Sequence, residues 1–263
     1  MARTKSATVP ARPSATVIML RDSGQRPELL MVKRRGGDAF GEHYAFPGGV
    51  LDEDESLATA LCHGMTAEEA NTTLGVPEGG LEFYVATVRE LFEETGILLA
   101  RDRRGAWALH GDPATREQIA QGTLAWSEFL REHELRMACD ALHYFAHWET
   151  PLGLPKRWSA RFFLAATPAD QDALHDGSEL TDSCWLSAAE ALETGRQGGM
   201  KLPFPTYRTL KMLSNFASVD DLLDWARQTS AQGVPKLRPV ELKENGKRKF
   251  VIPGDPGYPE GGD

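Results

Sequence analysis

The chain has 263 residues, 41% of them hydrophobic and 25% charged, which suits one globular domain with additions or two small ones. A net charge of −9 argues against tracking along a nucleic acid backbone, which takes a basic stripe; a small anionic substrate stays open where a metal and a few local cations offset the field. No apolar run approaches the ~20 residues of a membrane helix, and three scattered cysteines (Cys62, Cys139 and Cys184) without a Cys-x-x-Cys pair argue against a disulfide framework or zinc site and for a reducing cytoplasm.

Met1 to Pro13 is polar and basic with no apolar h-region, so it reads as a flexible leader, not a secretory signal. Residues 14–20 and 29–33 read as strands joined by the polar turn Arg21 to Glu28, a hairpin. A basic, Gly-rich loop, Arg34 to Gly41, leads into Tyr44-Ala45-Phe46-Pro47-Gly48-Gly49-Val50. Within 56–80, Thr66-Ala67-Glu68-Glu69 has capping-box spacing and Gly75 can end that helix. Residues 81–95 form a strong helix stopped by Gly96. One or two helices are expected over 114–140, then strands at Leu142 to Thr150 and Ala160 to Ala166 around a Pro/Gly/Lys/Arg loop. Cys184 to Leu186 reads as a strand and Ala188 to Gly195 as a helix. Residues 206–229 read as helical, with Ser218 an N-cap candidate. In the tail, 238–242 and 248–252 pair around Asn245-Gly246, a hairpin signal.

On the helix over 85–96, at about 100° per residue, Glu90, Glu93 and Glu94 share one face and Val85, Val88, Leu91, Phe92 and Thr95 the other. Clustered like charges cost a few tenths of a kcal/mol on a solvated helix, and the dipole disfavours acid in the last turn. Such a face is either a solvated acidic surface with Arg89 as local partner or a seat for a hard cation, for which Mg²⁺ takes one or two carboxylates with waters and phosphates.

Context favours the cation. Gly49, five residues, Glu55, and later Arg89-Glu90-Leu91-Phe92-Glu93-Glu94-Thr95-Gly96-Ile97 together resemble the Nudix box. The later half matches at every defined position. The departure is in the middle: 33 residues separate Glu55 from Arg89 where the family pattern has seven, an insertion of 26. The resemblance implies that Glu90, Glu93 and Glu94, with the Gly49 carbonyl, bind Mg²⁺ or Mn²⁺, that one glutamate serves as general base, that Arg89 orients the glutamates and that Glu55 holds Arg89. Asp52, Glu53 and Asp54 are rivals of Glu55.

One branch of the family, similar to the coenzyme A diphosphatases of animals, carries an insertion at this point. Leu29 to Arg34, His147 to Pro151, Arg161 to Leu164, Trp185-Leu186 and Leu202 to Thr206 also resemble that branch, so the likeness runs over about 14–215. It implies an α+β fold, a Nudix-type α/β/α sandwich with a mixed central sheet and extra helices, that hydrolyses a nucleoside diphosphate-linked small molecule, coenzyme A or acyl-coenzyme A. The alternatives are ADP-ribose or a dinucleotide, or a non-catalytic nucleotide-binding regulator. Lys33, Arg34, Arg35, Lys156, Arg157 and Arg161 are candidates for holding phosphates, and Glu149 and Glu179 for further acids. The chain ends Glu260-Gly261-Gly262-Asp263, without a peroxisomal address, which again suggests the cytoplasm.

The expected organisation is a leader over 1–13, a Nudix domain over 14–212 with the insertion at 56–84, and a C-terminal helix and tail, 213–263, packed on the core. No membrane or nucleic acid partner is expected, and a homodimer is admitted. His143 and His147 are four apart, but on a strand that spacing is about 13 Å, too far for one ion.

Overall fold

The structure is a computed structural model that describes residues 9–35, 42–109, 112–173, 180–244 and 247–259; Glu179 lies outside them. In chain order, β1 (Arg12–Asp22) and β2 (Pro27–Arg34) form the expected hairpin, with Leu20 opposite Leu29. β1 opens at Arg12, inside the segment expected as a leader, because the Arg12 N–H donates to the Arg157 carbonyl (2.9 Å). The short β3 (His43–Ala45) pairs with β2, and β4 (Gly48–Val50) pairs with β1.

Residues 56–84, expected as the insertion, fold into most of α1 (Glu55–Ala58), β5 (Cys62–His63), α2 (Ala67–Leu74) and the front of α3 (Gly80–Thr95). The sequence signals for α2 act as read: Thr66 and Glu69 make a reciprocal capping box, and Gly75 closes the helix at φ +63°. Gly80 lets α2 and α3 touch, since a Cβ there would lie 2.6 Å from the Asn71 nitrogen.

Next come β6 (Ala100–Arg101), α4 (Pro113–Ala120), α5 (Trp126–Glu132), β7 (Arg136–Ala138), β8 (His143–Glu149), β9 (Trp158–Ala166), β10 (Leu180–Ser187), α6 (Ala188–Arg196), α7 (Phe204–Leu213), α8 (Val219–Gln232), β11 (Lys236–Leu237), β12 (Val240–Glu244) and β13 (Lys247–Val251). The stretch read as helical over 206–229 is two helices. The Ser218 hydroxyl accepts from the Asp221 N–H (3.1 Å) and starts α8 afresh. β12 and β13 pair as the hairpin expected over 238–242 and 248–252, with the first strand two residues later at Val240–Glu244; Asn245 and Gly246 lie outside the described residues.

The main sheet runs β10-β2-β1-β9-β8-β11. β1 is parallel to β9 and antiparallel to β2, so the sheet is mixed. Alternation along β1 explains the layers: Ala15, Val17 and Met19 face a core under α3, while Ile18 and Leu20 face a second core under α6, α7 and α8. The sheet lies between two helical layers. α8 packs on β8, and β11 lies parallel to β8.

Candidate active site

Val85, Val88, Leu91 and Phe92 are fully buried and pin α3 to the sheet. That fixes where its opposite face points: Glu90, Glu93 and Glu94 look toward β4. The Gly48-Gly49 pair makes this approach sterically feasible. A Cβ on Gly49 would fall on the Glu90 carboxylate, and one on Gly48, at φ +146°, would strike the Ala15 carbonyl.

The acids are not a solvated face, since Glu94 is only 3% exposed and Glu55 2%. One guanidinium organises them. Arg89 donates through Nε and Nη2 to Glu55 Oε1 (3.1 and 2.8 Å), through Nη2 to Glu90 Oε1 (3.0 Å) and through Nη1 to Glu93 Oε1 (3.0 Å). Glu55 thus reaches Arg89 across the insertion, its other oxygen accepting from the Asp52 N–H (2.9 Å). Asp52 itself stands 3.7 Å from Arg89 and is mostly exposed. Glu94 is held differently, by Arg34 Nη2 (2.6 Å) and the Gly48 N–H (3.0 Å); Arg34 also donates to the Gly48 carbonyl.

Burial pushes the Glu90 carboxyl up to about 8; Arg89 pulls it down, while Glu94 and Glu93 push it further up. Burial likewise raises Glu55 against the pull of Arg89. Among the described residues, four carboxylates (Glu55, Glu90, Glu93 and Glu94) pair with two guanidiniums (Arg34 and Arg89), and full ionisation of that set leaves two negative charges over. A divalent cation would neutralise that excess, and the available donors, carboxylate oxygens beside the Gly49 backbone, are the hard ligands Mg²⁺ takes. Among the described residues no group of three acids, histidines or cysteines is arranged to hold an ion, because the carboxylates are turned to the arginines.

Arg116 of α4 is a residue the sequence gave no reason to single out. It is 8% exposed and donates through Nε to the Glu93 carbonyl (2.8 Å) and through Nη2 to the Glu94 carbonyl (3.3 Å). A cation therefore caps the C-terminus of α3, offsetting the unfavourable pairing of dipole and acid there. A cleft of about 1140 Å³ opens over this cluster, lined by Arg34, Gly49, Glu90, Glu93, Glu94 and Arg116 among others.

The other candidates stand apart from the cleft lining. Lys33 pairs with Glu42 (3.0 Å), and Arg35 and Lys156 are exposed. Arg157 is buried, bonded to Glu149 (2.8 Å) and to the Val9 carbonyl (2.7 Å). Glu149 also meets Lys236 (3.1 Å) and Arg238 (2.6 Å); burial would raise its carboxyl, but hydrogen bonds from Arg238 and Lys236 hold it below the usual range. Arg161 is buried over the Phe83 ring. His143 and His147 lie along β8, and His147 Nε2 meets the Ser159 hydroxyl (2.8 Å).

The family model described as NUDT19 Nudix domain matches residues 58–213, and that described as NUDIX domain matches 10–62. The acyl-coenzyme A diphosphatase NUDT19 of Homo sapiens is 27% identical over an alignment covering 99% of this chain and 78% of that protein. Its namesake in Xenopus laevis is 24% identical over 89% and 72%. A crystal structure of a Nudix hydrolase from Alicyclobacillus acidocaldarius superposes with a TM-score of 0.70 at 23% identity, covering 82% of this chain and 96% of that one, which is agreement in fold. No helix among the described residues is long and apolar enough to cross a membrane.

Proposed function

Because the chain belongs to the Nudix hydrolase family, its residues 58–213 matching the NUDT19 Nudix domain, we propose that it hydrolyses the diphosphate linkage of coenzyme A and acyl-coenzyme A with Mg²⁺ or Mn²⁺. The observation that carries this reading is the Glu55–Arg89–Glu90–Glu93 network beside Gly49, closed across a 33-residue separation. The names of the relatives point to the substrate.

Glu90, Glu93, Glu94 and the Gly49 carbonyl would hold the ion, which when bound offsets phosphoryl charge and lowers the pKa of water. Arg89 keeps Glu90 and Glu93 in register, and Glu55 keeps Arg89 in place. Glu93, the less buried of the last-turn pair, takes the proton as water attacks one phosphorus and the bond from that phosphorus to the bridging oxygen breaks. Arg34, already at the mouth between Glu94 and Gly48, meets a phosphoryl oxygen. Three free thiols go with a reducing, cytoplasmic setting.

Turnover of coenzyme A, acyl-coenzyme A, ADP-ribose, NADH and dinucleoside polyphosphates with Mg²⁺ or Mn²⁺ tests this. Expected are phosphopantetheine or its thioester as product and a fall of about 10²–10⁴ in kcat for Glu93→Gln. Cleavage confined to the other nucleotides, or full activity in Glu94→Gln, overturns it.

A further inference from the structure

The cleft over the carboxylates is much larger than a diphosphate needs, and part of its lining is apolar. Ile119, Ala120, Leu124, Ala125 and Trp126, from α4, α5 and their connection, line it, and so does Leu57 of α1, which packs on α5. Leu57 is 57% exposed, an apolar side chain left in water beside a cluster of acids. This apolar wall is built into the site. Trp126 packs against Phe92 of α3 with ring centroids 5.7 Å apart and donates its indole N–H to the Met137 sulfur (3.4 Å). The Gln121 side-chain amide on the same cleft donates through Nε2 to Glu117 (2.8 Å). Arg131 of α5 donates to the Leu57 carbonyl (3.1 Å), which ties α1 to α5.

Glu90, Glu93, Glu94, Asp52, Asp54, Glu117 and Asp172 also border the cleft, so the apolar wall is unsuited to a group with a free negative charge. The ligand it suits is one whose anionic diphosphate continues into an uncharged apolar limb. Resting on the proposed coenzyme A reading, we infer that this wall receives the acyl-pantetheine limb of the substrate and that Leu57 and Leu124 give acylated coenzyme A preference over the free thiol. An apolar pocket discriminates about tenfold or more per methylene it can or cannot seat, so an octanoyl chain has ample scope to register.

Calorimetry with Ca²⁺ in place of Mg²⁺, which keeps the carboxylates neutralised but departs from the octahedral geometry of Mg²⁺, tests the inference with coenzyme A and octanoyl-coenzyme A as probes. The parent chain is expected to bind octanoyl-coenzyme A at least tenfold tighter, and Leu57→Asp and Leu124→Asp to bring the ratio of the two Kd values near one. Leu57 is exposed, so its variant folds even where the half-buried Leu124→Asp does not. Equal Kd values in the parent, or an unchanged ratio in Leu57→Asp, overturn the subsite. Weakening of both ligands by one factor assigns the wall to the shared adenosine end and also overturns it. Turnover of the same two compounds with Mg²⁺, measured separately, decides the hydrolase reading: cleavage without chain preference sinks the subsite alone, and chain-dependent binding without cleavage sinks the hydrolase reading alone.

Discussion

Arg89 is a single guanidinium serving three carboxylates, and its planar fork makes that geometry available. Removing it leaves Glu55 in a position 2% exposed with its ion-pair partner gone. Arg89→Met is expected to cost about 3–5 kcal/mol of stability, read as a lower urea midpoint, and Arg89→Lys to recover only part of it, because a lysine keeps the charge but not the fork. A midpoint unchanged in Arg89→Met refutes this account. Arg116 acts at one remove. Its guanidinium donates to the backbone carbonyls of Glu93 and Glu94, which makes it a positioning residue. Arg116→Ala is expected to lower kcat about tenfold with KM moved less, and Arg116→Lys to restore a good part. A KM effect with kcat intact would instead assign Arg116 to substrate binding.

At the scale of elements, the residues between Glu55 and Arg89 lengthen the helix that carries the glutamates. α3 begins at Gly80, nine residues before Arg89, and α2 packs along its front through Ala70 and Asn71 at Gly80. Length alone does not disturb the site, since Glu55 and Arg89 still meet at 2.8 Å. Stability and chemistry therefore separate here. Thr66→Ala removes the N-cap of α2 and is expected to cost about 1 kcal/mol by thermal unfolding. Gly80→Ala forces α2 off α3 and should cost more than Thr66→Ala, with a drop in activity only if α3 itself tilts. An increase in stability for Gly80→Ala, as helix propensity alone demands, would show that the contact is not tight.

Across the whole molecule, the sheet end that carries β8 and β9 holds a buried, neutral imidazole. Burial first, then the cations Arg161 and Lys236, push His147 down to about 3. The folded state thus binds the proton later than the unfolded chain does, so stability is full above the ordinary value near 6.5 and falls as pH drops from there toward 3. The slope attributable to this group is roughly 1 kcal/mol per pH unit. Denaturant midpoints between pH 7 and 4 should therefore fall less steeply in His147→Gln than in the parent. Parallel slopes would mean that His147 is not the group lost.

Period and spacing alone determined a good deal. The β1–β2 hairpin, the amphipathic helix with its Gly96 stop, the Thr66 cap, a tail hairpin (expected over 238–242 and 248–252) and the acid set Glu90, Glu93 and Glu94 all depend on residues near one another in the chain. The split helix at Ser218 was half legible, because a capping serine was visible but not that it would win over helix continuation. Three matters were decided only by tertiary structure: that Glu94 is buried under Gly48 and held by Arg34, that Arg116 caps carbonyls 22 and 23 residues away, and that Arg157 is bonded to Glu149. The reason is physical. A cation in a sequence carries no mark of its partner, since a solvated surface arginine, a phosphate ligand and a buried ion-pair member are the same residue until long-range packing sets which carboxylate or carbonyl lies within 3 Å.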